Sequence, residues 1–205
     1  MEWSGELTEI LKQKRFDTIV NSSVKIDRGQ LLIAEPFMND PNFKRSVILV
    51  CEHQEEGSLG FILNKPLKMR VDRLVGGFPE FEAPVYYGGP VANDTIHFLH
   101  SLGDLIEDSL PIGNNIYWGG NFEKLKFLIN SKVLKPGDIK FFAGYSGWST
   151  GQLNEELNLG TWLTADMDPN YLMSVNPEDL WSKVLQLKGD TYAVMAGIPN
   201  HISWN

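Results

Sequence analysis

Cysteine, histidine, basic charge and long apolar runs are all scarce in this chain. With Cys51 as the single cysteine, no internal disulfide can form, which agrees with a reducing compartment. Four histidines and one thiol leave little material for a metal site, and none falls into a recurring ligand spacing. His97 and His100 are three apart on a stretch that reads as a strand, so they should face opposite sides. Lysine and arginine number 18 against 26 aspartates and glutamates, a net charge of −8. Proteins that live on nucleic acid gather basic groups to neutralise phosphates, so the balance argues against direct nucleic-acid binding. The local basic groups at Lys12-Gln13-Lys14-Arg15 and at Lys124, Lys126, Lys132 and Lys135 read as solvated helix sides. No apolar run approaches a membrane span, and Glu2, Glu6 and Glu9 break any secretory pattern, so a cytoplasmic protein without membrane contact is expected. Neither G-x-G-x-x-G nor a P-loop occurs, and no cofactor is expected.

What the chain does contain is ordinary globular material: 205 residues, 42% hydrophobic, with six tryptophans and eleven phenylalanines. That is enough for one domain with a full core. Leu7, Ile10 and Leu11 sit near helical spacing, which predicts an amphipathic helix over 6–20 in an N-terminal extension (residues 1–28) preceding the domain at 29–205. Strands are predicted at Leu31–Ala34, Ser46–Glu52, Leu59–Asn64, Val85–Gly88, Thr95–His100, Asn115–Trp118 and from Ile139 to Ala143. The second and third form a hairpin, with His53–Ser58 as a longish turn. Asn121 caps a helix carrying Phe122, Leu125, Leu128 and Ile129, and Asn176-Pro177 starts another with Leu180, Trp181, Val184 and Leu185. Several strands precede most helices without regular βαβ alternation. The fold class is therefore α+β, a single domain with a mixed, mainly antiparallel sheet and surrounding helices.

The richest segment is Gly144-Tyr145-Ser146-Gly147-Trp148-Ser149-Thr150-Gly151, between the strand ending at Ala143 and a helix-like Gln152–Leu157. Read as strand, glycine loop and helix, it would free backbone N–H groups at a helix start for a phosphate, carboxylate or carbonyl oxygen. A tight turn with Ser149 and Gln152 as a capping box explains the same residues structurally. An acyl-transfer enzyme would need an exposed nucleophile, a base and an oxyanion hole. Ser146, Asp166 or Asp168, and His201 follow the nucleophile, acid, base order of α/β-hydrolases, yet Trp148 stands where a G-x-S-x-G elbow needs glycine. No complete catalytic signature is present. Cys51 reads as a small core residue, and Trp118, Trp148 and Trp162 as groove lining or core packing.

Several segments together closely resemble the bacterial AlgH/YqgE family. They are Gly29–Ala34 with Pro36, Met38, Asp40-Pro41 and Phe43; Cys51-Glu52-His53; Gly60 with Leu63–Pro66; Gly88-Gly89-Pro90-Val91; and Gly144–Trp148 with Gly151–Leu153. The likeness covers about residues 29–200. It implies a compact bacterial cytoplasmic protein with a mixed sheet, a name linked to regulation of alginate production, and no agreed enzymatic activity. On this basis Asp40, Gly89, Pro90, Gly144, Ser146, Gly147, Trp148 and Ser149 form the candidate ligand-binding set, with the loop at Asp40, Gly88–Val91 and Gly144–Ser149 expected near one another. The leading reading is a non-enzymatic binding or regulatory module for a small anionic or acyl ligand or an unidentified protein partner. The alternative is a small hydrolase or acyl transferase using Ser146.

Overall fold

The computed structural model describes residues 25–173 and 175–197. The helix expected over 6–20 and His201 lie outside the described residues. Ten strands form one sheet: β1 (Gln30–Ala34), β2 (Val47–Gln54), β3 (Gly57–Ile62), β4 (Pro66–Arg70), β5 (Pro84–Tyr87), β6 (Val91–His100), β7 (Leu110–Gly113), β8 (Ile116–Trp118), β9 (Ile139–Ser149) and β10 (Trp162–Asp166). Six α-helices are described: α1 (Val71–Leu74), α2 (Phe122–Asn130), α3 (Gln152–Asn158), α4 (Pro169–Met173), α5 (Pro177–Gln186) and α6 (Asp190–Ala196).

The strand order is β10-β1-β2-β3-β9-β6-β8-β7, with the β4–β5 pair attached to β9. Every ladder is antiparallel except β5 with β9, so the expected mixed, mainly antiparallel α+β domain is what the chain forms. β9 is the keystone. Its first half pairs with β5 through Phe141, Phe142 and Ala143, and its second half pairs with β3 from Ser146 to Ser149. β6 lies along its other edge. One strand therefore joins two half-sheets.

Alternation along the strands divides the core. Leu31 and Ile33 of β1, Leu49 and Cys51 of β2, Phe61 of β3 and Phe142 of β9 face one side, where Leu180, Trp181, Val184 and Leu185 of α5 cover them. On the other side, Phe141, Val85 and Phe98 pack with Leu125, Leu128 and Ile129 of α2. Leu32, Ile48, Val50 and Ile62 pack there with Leu153 and Leu157 of α3. Ile26 joins that last cluster, so the packed body extends at least to that residue. The predicted caps are in place: Asn121 accepts from the Lys124 N–H at 2.9 Å, and Asn176 from the Glu178 N–H at 3.3 Å with Pro177 next to it.

Two local expectations are corrected. The hairpin turn is only Glu55-Glu56, because β2 runs on to Gln54 and β3 starts at Gly57, placing His53 opposite Ser58 within the ladder. The expected glycine loop is a strand: β9 continues to Ser149, and only Thr150 and Gly151 turn before α3. Gly144, at φ 65°, kinks the strand rather than ending it, and Ser146–Ser149 are held by pairing with β3. The structural account is a kink at the point where β9 changes its partner from β5 to β3.

Candidate functional site

The residues selected from the sequence do converge, but most of them build a crossing of backbones. Beyond β5, the chain passes Gly88-Gly89 under the kink of β9. The Gly88 N–H donates to Ala143 O at 2.9 Å, while its carbonyl accepts from the Ile62 N–H and the Ser146 hydroxyl, each at 3.0 Å. At this point β5 hands its place beside β9 to β3. Gly89, at φ 152°, lies so close to β9 that a Cβ would stand 2.3 Å from the Tyr145 carbonyl. Ser146 is fully buried, with its hydroxyl committed to Gly88. Trp148 is buried as well, Gly147 is paired with Leu59 in the β3–β9 ladder, and Pro90 is exposed just beyond the crossing. Asp40 lies on an exposed loop, where its carboxylate accepts from the Asn42 N–H at 2.7 Å. That loop meets the same region: Asn42 Oδ1 accepts from the Tyr87 hydroxyl at 2.9 Å, one residue before Gly88, and Lys65 Nζ donates to the carbonyls of Pro41 and Asn42.

An open cleft of about 340 Å³ lies at the far end of β9. The end of β2 contributes His53 and Gln54, the turn Glu55, and β3 Gly57 and Ser58. Ser149, Gly151 and the first turn of α3, through Leu153 and Asn154, complete the wall. His53 Nδ1 and Ser58 Oγ are 2.8 Å apart across the ladder. Of the candidate set only Ser149 lines this cleft. Its N–H and hydroxyl both donate to Gln152 Oε1, at 3.0 and 3.1 Å, and the residue that caps α3 is Gly151, at φ 74° with no side-chain bond. The capping box is thus replaced by a glutamine that reaches back to the strand. His53 was legible as part of Cys51-Glu52-His53. Ser58 carried no signal, because only the register of two strands brings it opposite an imidazole.

Behind the cleft, α3 is stapled to the sheet by one carboxylate. Glu156 Oε2 accepts from the indole N–H of Trp148 at 2.9 Å and of Trp162 at 2.7 Å, and its Oε1 from the Gln152 amide at 2.9 Å. The two indoles meet edge to face at 6.1 Å. Trp148 and Trp162 are therefore core residues. Trp118 packs with Phe61 and His97 instead. His97 and His100 fall on opposite faces, as their spacing requires, and burial lowers the pKa of both. His100 is locked by the Leu102 N–H on Nδ1 and by Gly119 O and Ser109 Oγ near Nε2.

A buried amine near the start of β9 was not foreseen. Lys140 is 7% exposed, donates from Nζ to Leu63 O at 3.2 Å and sits 4.1 Å from the centre of the Tyr86 ring, with no carboxylate of the described residues paired to it. Burial alone pulls its pKa down to about 8. A drop of that size corresponds to a penalty of about 3 kcal/mol on the folded ammonium at neutral pH. Lys140→Met keeps the length and removes the charge, at the cost of the ring contact and the donor to Leu63 O, about 1–2 kcal/mol. The variant should therefore be more stable than the parent by about 1–2 kcal/mol at pH 7 in urea unfolding. Between about pH 8 and 10.4 the folded amine has lost its proton while the unfolded one has not, so the parent gains stability as pH rises and the difference shrinks.

The fold and site define a one-domain α+β protein with a tightly crossed sheet and a polar cleft at its strand ends. It belongs to the AlgH-like family, whose model matches residues 31–193. The chain is 45% identical over 181 residues to a UPF0301 protein of Chlorobium phaeobacteroides, covering 88% of this chain and 97% of that one. It is 46% identical to a UPF0301 protein of Chlorobium luteolum, again over 181 residues, covering 88% and 96%. The solution structure of the AlgH protein from Pseudomonas aeruginosa superposes with a TM-score of 0.68 at 28% identity, covering 87% of this chain and all (100%) of that one. A crystal structure from Corynebacterium diphtheriae shares the fold, with a TM-score of 0.69 at 21% identity over 87% of this chain and 96% of that one. No described helix is long and apolar enough to cross a membrane.

Proposed function

We propose that the chain is a non-catalytic binding module that holds a small molecule, or a short segment of a protein partner, in the cleft where β2 and β9 end and β3 begins. The observation that carries this reading is the separation of the two features an acyl-transfer site must combine. The open cleft is at the end of β9, while the Ser146 hydroxyl is sealed in the sheet and bonded to Gly88 O. The net charge of −8 supports a partner other than nucleic acid. A regulatory role fits such a module, since a bound ligand or partner shifts populations without chemistry.

The test is thermal unfolding of the full chain against a library of metabolites and short peptides, because a ligand that prefers the native state raises the midpoint by mass action. A dose-dependent rise that His53→Ala abolishes is expected. Ser146→Ala should lower stability by about 1 kcal/mol, one hydrogen bond, since Gly88 O keeps the Ile62 N–H. It should leave the ligand-induced rise intact. Turnover of an acyl ester that Ser146→Ala abolishes would instead establish the hydrolase alternative.

A further inference from the structure

We infer that the cleft takes a neutral, amide-bearing ligand of about dipeptide size, recognised by the paired side chains of His53 and Ser58. This rests on the reading of the cleft as a binding site and names what fills it.

The charge of the wall comes first. Among the described residues no lysine or arginine lines the cleft, and Glu55, exposed at the hairpin turn, is the one lining carboxylate. An anion would therefore find no countercharge and would meet the field of that carboxylate. A cation would find a single solvated partner on a turn, which gives little hold because water and salt screen such pairs. Neither sign of ligand charge is matched by the wall.

Its hydrogen-bonding pattern is matched to something else. A hydroxyl and an imidazole in its neutral form each donate one hydrogen bond and accept another. The Ser58 hydroxyl and His53 Nδ1 use one donor and one acceptor on each other at 2.8 Å. If Ser58 donates, His53 keeps an Nε2–H donor and Ser58 keeps oxygen lone pairs. If His53 donates from Nδ1, its Nε2 becomes the acceptor and the Ser58 proton is released to donate. In both tautomers the pair retains one donor and one acceptor for a ligand. An amide group carries the complement, a C=O acceptor beside an N–H donor. Gln54 and Asn154 add side-chain amides of the same dual character, neither with a partner among the described residues, and Leu153 gives the wall an apolar element. The volume of about 340 Å³ lies at the small end of ligand pockets, which span roughly 300–1,000 Å³.

The experiment is an NMR titration of the full chain with N-acetylalanine amide, and separately with acetate and with methylammonium, following His53 ring and Ser58 and Asn154 backbone resonances. The expected result is saturable shifts at these residues with the diamide alone. The dissociation constant should rise at least tenfold in His53→Phe and three- to tenfold in Ser58→Ala, while core amides of Phe61 and Phe142 report an unchanged fold. If either variant disturbs those core amides, Asn154→Ala, at an exposed position, serves instead, with a threefold or greater weakening expected. Acetate or methylammonium saturating the cleft where the diamide does not would overturn the ligand class while leaving the cleft reading intact. Failure of all three probes to move these resonances, together with a library that gives no His53-dependent rise in midpoint, would overturn both.

Discussion

Gly89→Ala should yield no stably folded protein, although it adds only a single methyl group. A Cβ at Gly89 would lie 2.3 Å from both the carbonyl carbon and oxygen of Tyr145 and 2.4 Å from the Ser146 nitrogen. All three are backbone atoms of β9, which is paired on both edges and cannot retreat without breaking ladders to β3 and β6. The φ of 152° adds a conformation that side-chain-bearing residues rarely adopt. Overpacking that flexible side chains can absorb costs about 1–3 kcal/mol. Here no side chain can yield, so a loss above about 4 kcal/mol is expected. Circular dichroism and the chemical-shift dispersion of amide protons would check it. A variant with the parental melting curve would mean that the crossing is looser than described. Gly151→Ala is the control, since a Cβ there meets nothing within 4 Å and only its φ of 74° opposes the change, for about 1 kcal/mol.

Glu156→Ala carries the second large effect, expected at about 3 kcal/mol. Trp148 and Trp162 are 6% and 3% exposed, and both indole N–H groups end on the one oxygen of this carboxylate. Truncation removes two charge-assisted bonds and leaves two buried donors without an acceptor, each worth about 1–3 kcal/mol. For a chain of this size the melting midpoint should fall by roughly 6–12 °C. A double-mutant cycle isolates the contact. In a Trp162→Phe background, Glu156→Ala should cost about half as much, because one of the two stranded donors is already gone. Equal costs in both backgrounds would show that the carboxylate stabilises α3 by some other route. Gln152 loses its contact in the same variant, so Ser149 and the wall of the cleft should loosen with it.

The parts of the fold that were legible are those whose cause is local. Leu31–Ala34 and Val47–Cys51 are β-branched or aliphatic runs that can only be buried strands, and Asn121 and Asn176-Pro177 cap helices through bonds to residues two or three positions away. The parts that were missed are made by partners far along the chain. β4, β7 and β10 are short strands, two of them bearing proline, whose pairing depends on β5, β8 and β1 rather than on their own composition. The same limit explains the glycine segment. Glycine at 144 permits a loop, a bulge or a close crossing equally well, and the choice is made by Gly88-Gly89, more than fifty positions earlier. In the cleft, Ser149 could be picked out because it stood beside a helix start. Ser58 could not, since its meaning comes from the register that sets it against His53.

Lys140 shows why alternation misleads at the centre of a sheet. In Ile139-Lys140-Phe141 a lysine reads as the solvent face of a half-buried strand. β9, however, is covered on both faces, so the amine points into a second core and rests on Tyr86.

The lone thiol acquires a use from the same burial. Cys51 sits in β2 at 1% exposure, and the surrounding apolar groups raise its pKa and hold it in the unreactive protonated form. A reagent in solution meets that sulfur only when α5 lifts from the sheet or β2 parts from its neighbours. Because β2 is flanked by β1 and β3 and covered by α5, such an opening involves the packed body rather than a free edge. The chain thus carries its own clock: each act of labelling under native conditions counts one excursion to the open state, with no competing thiol to blur the reading.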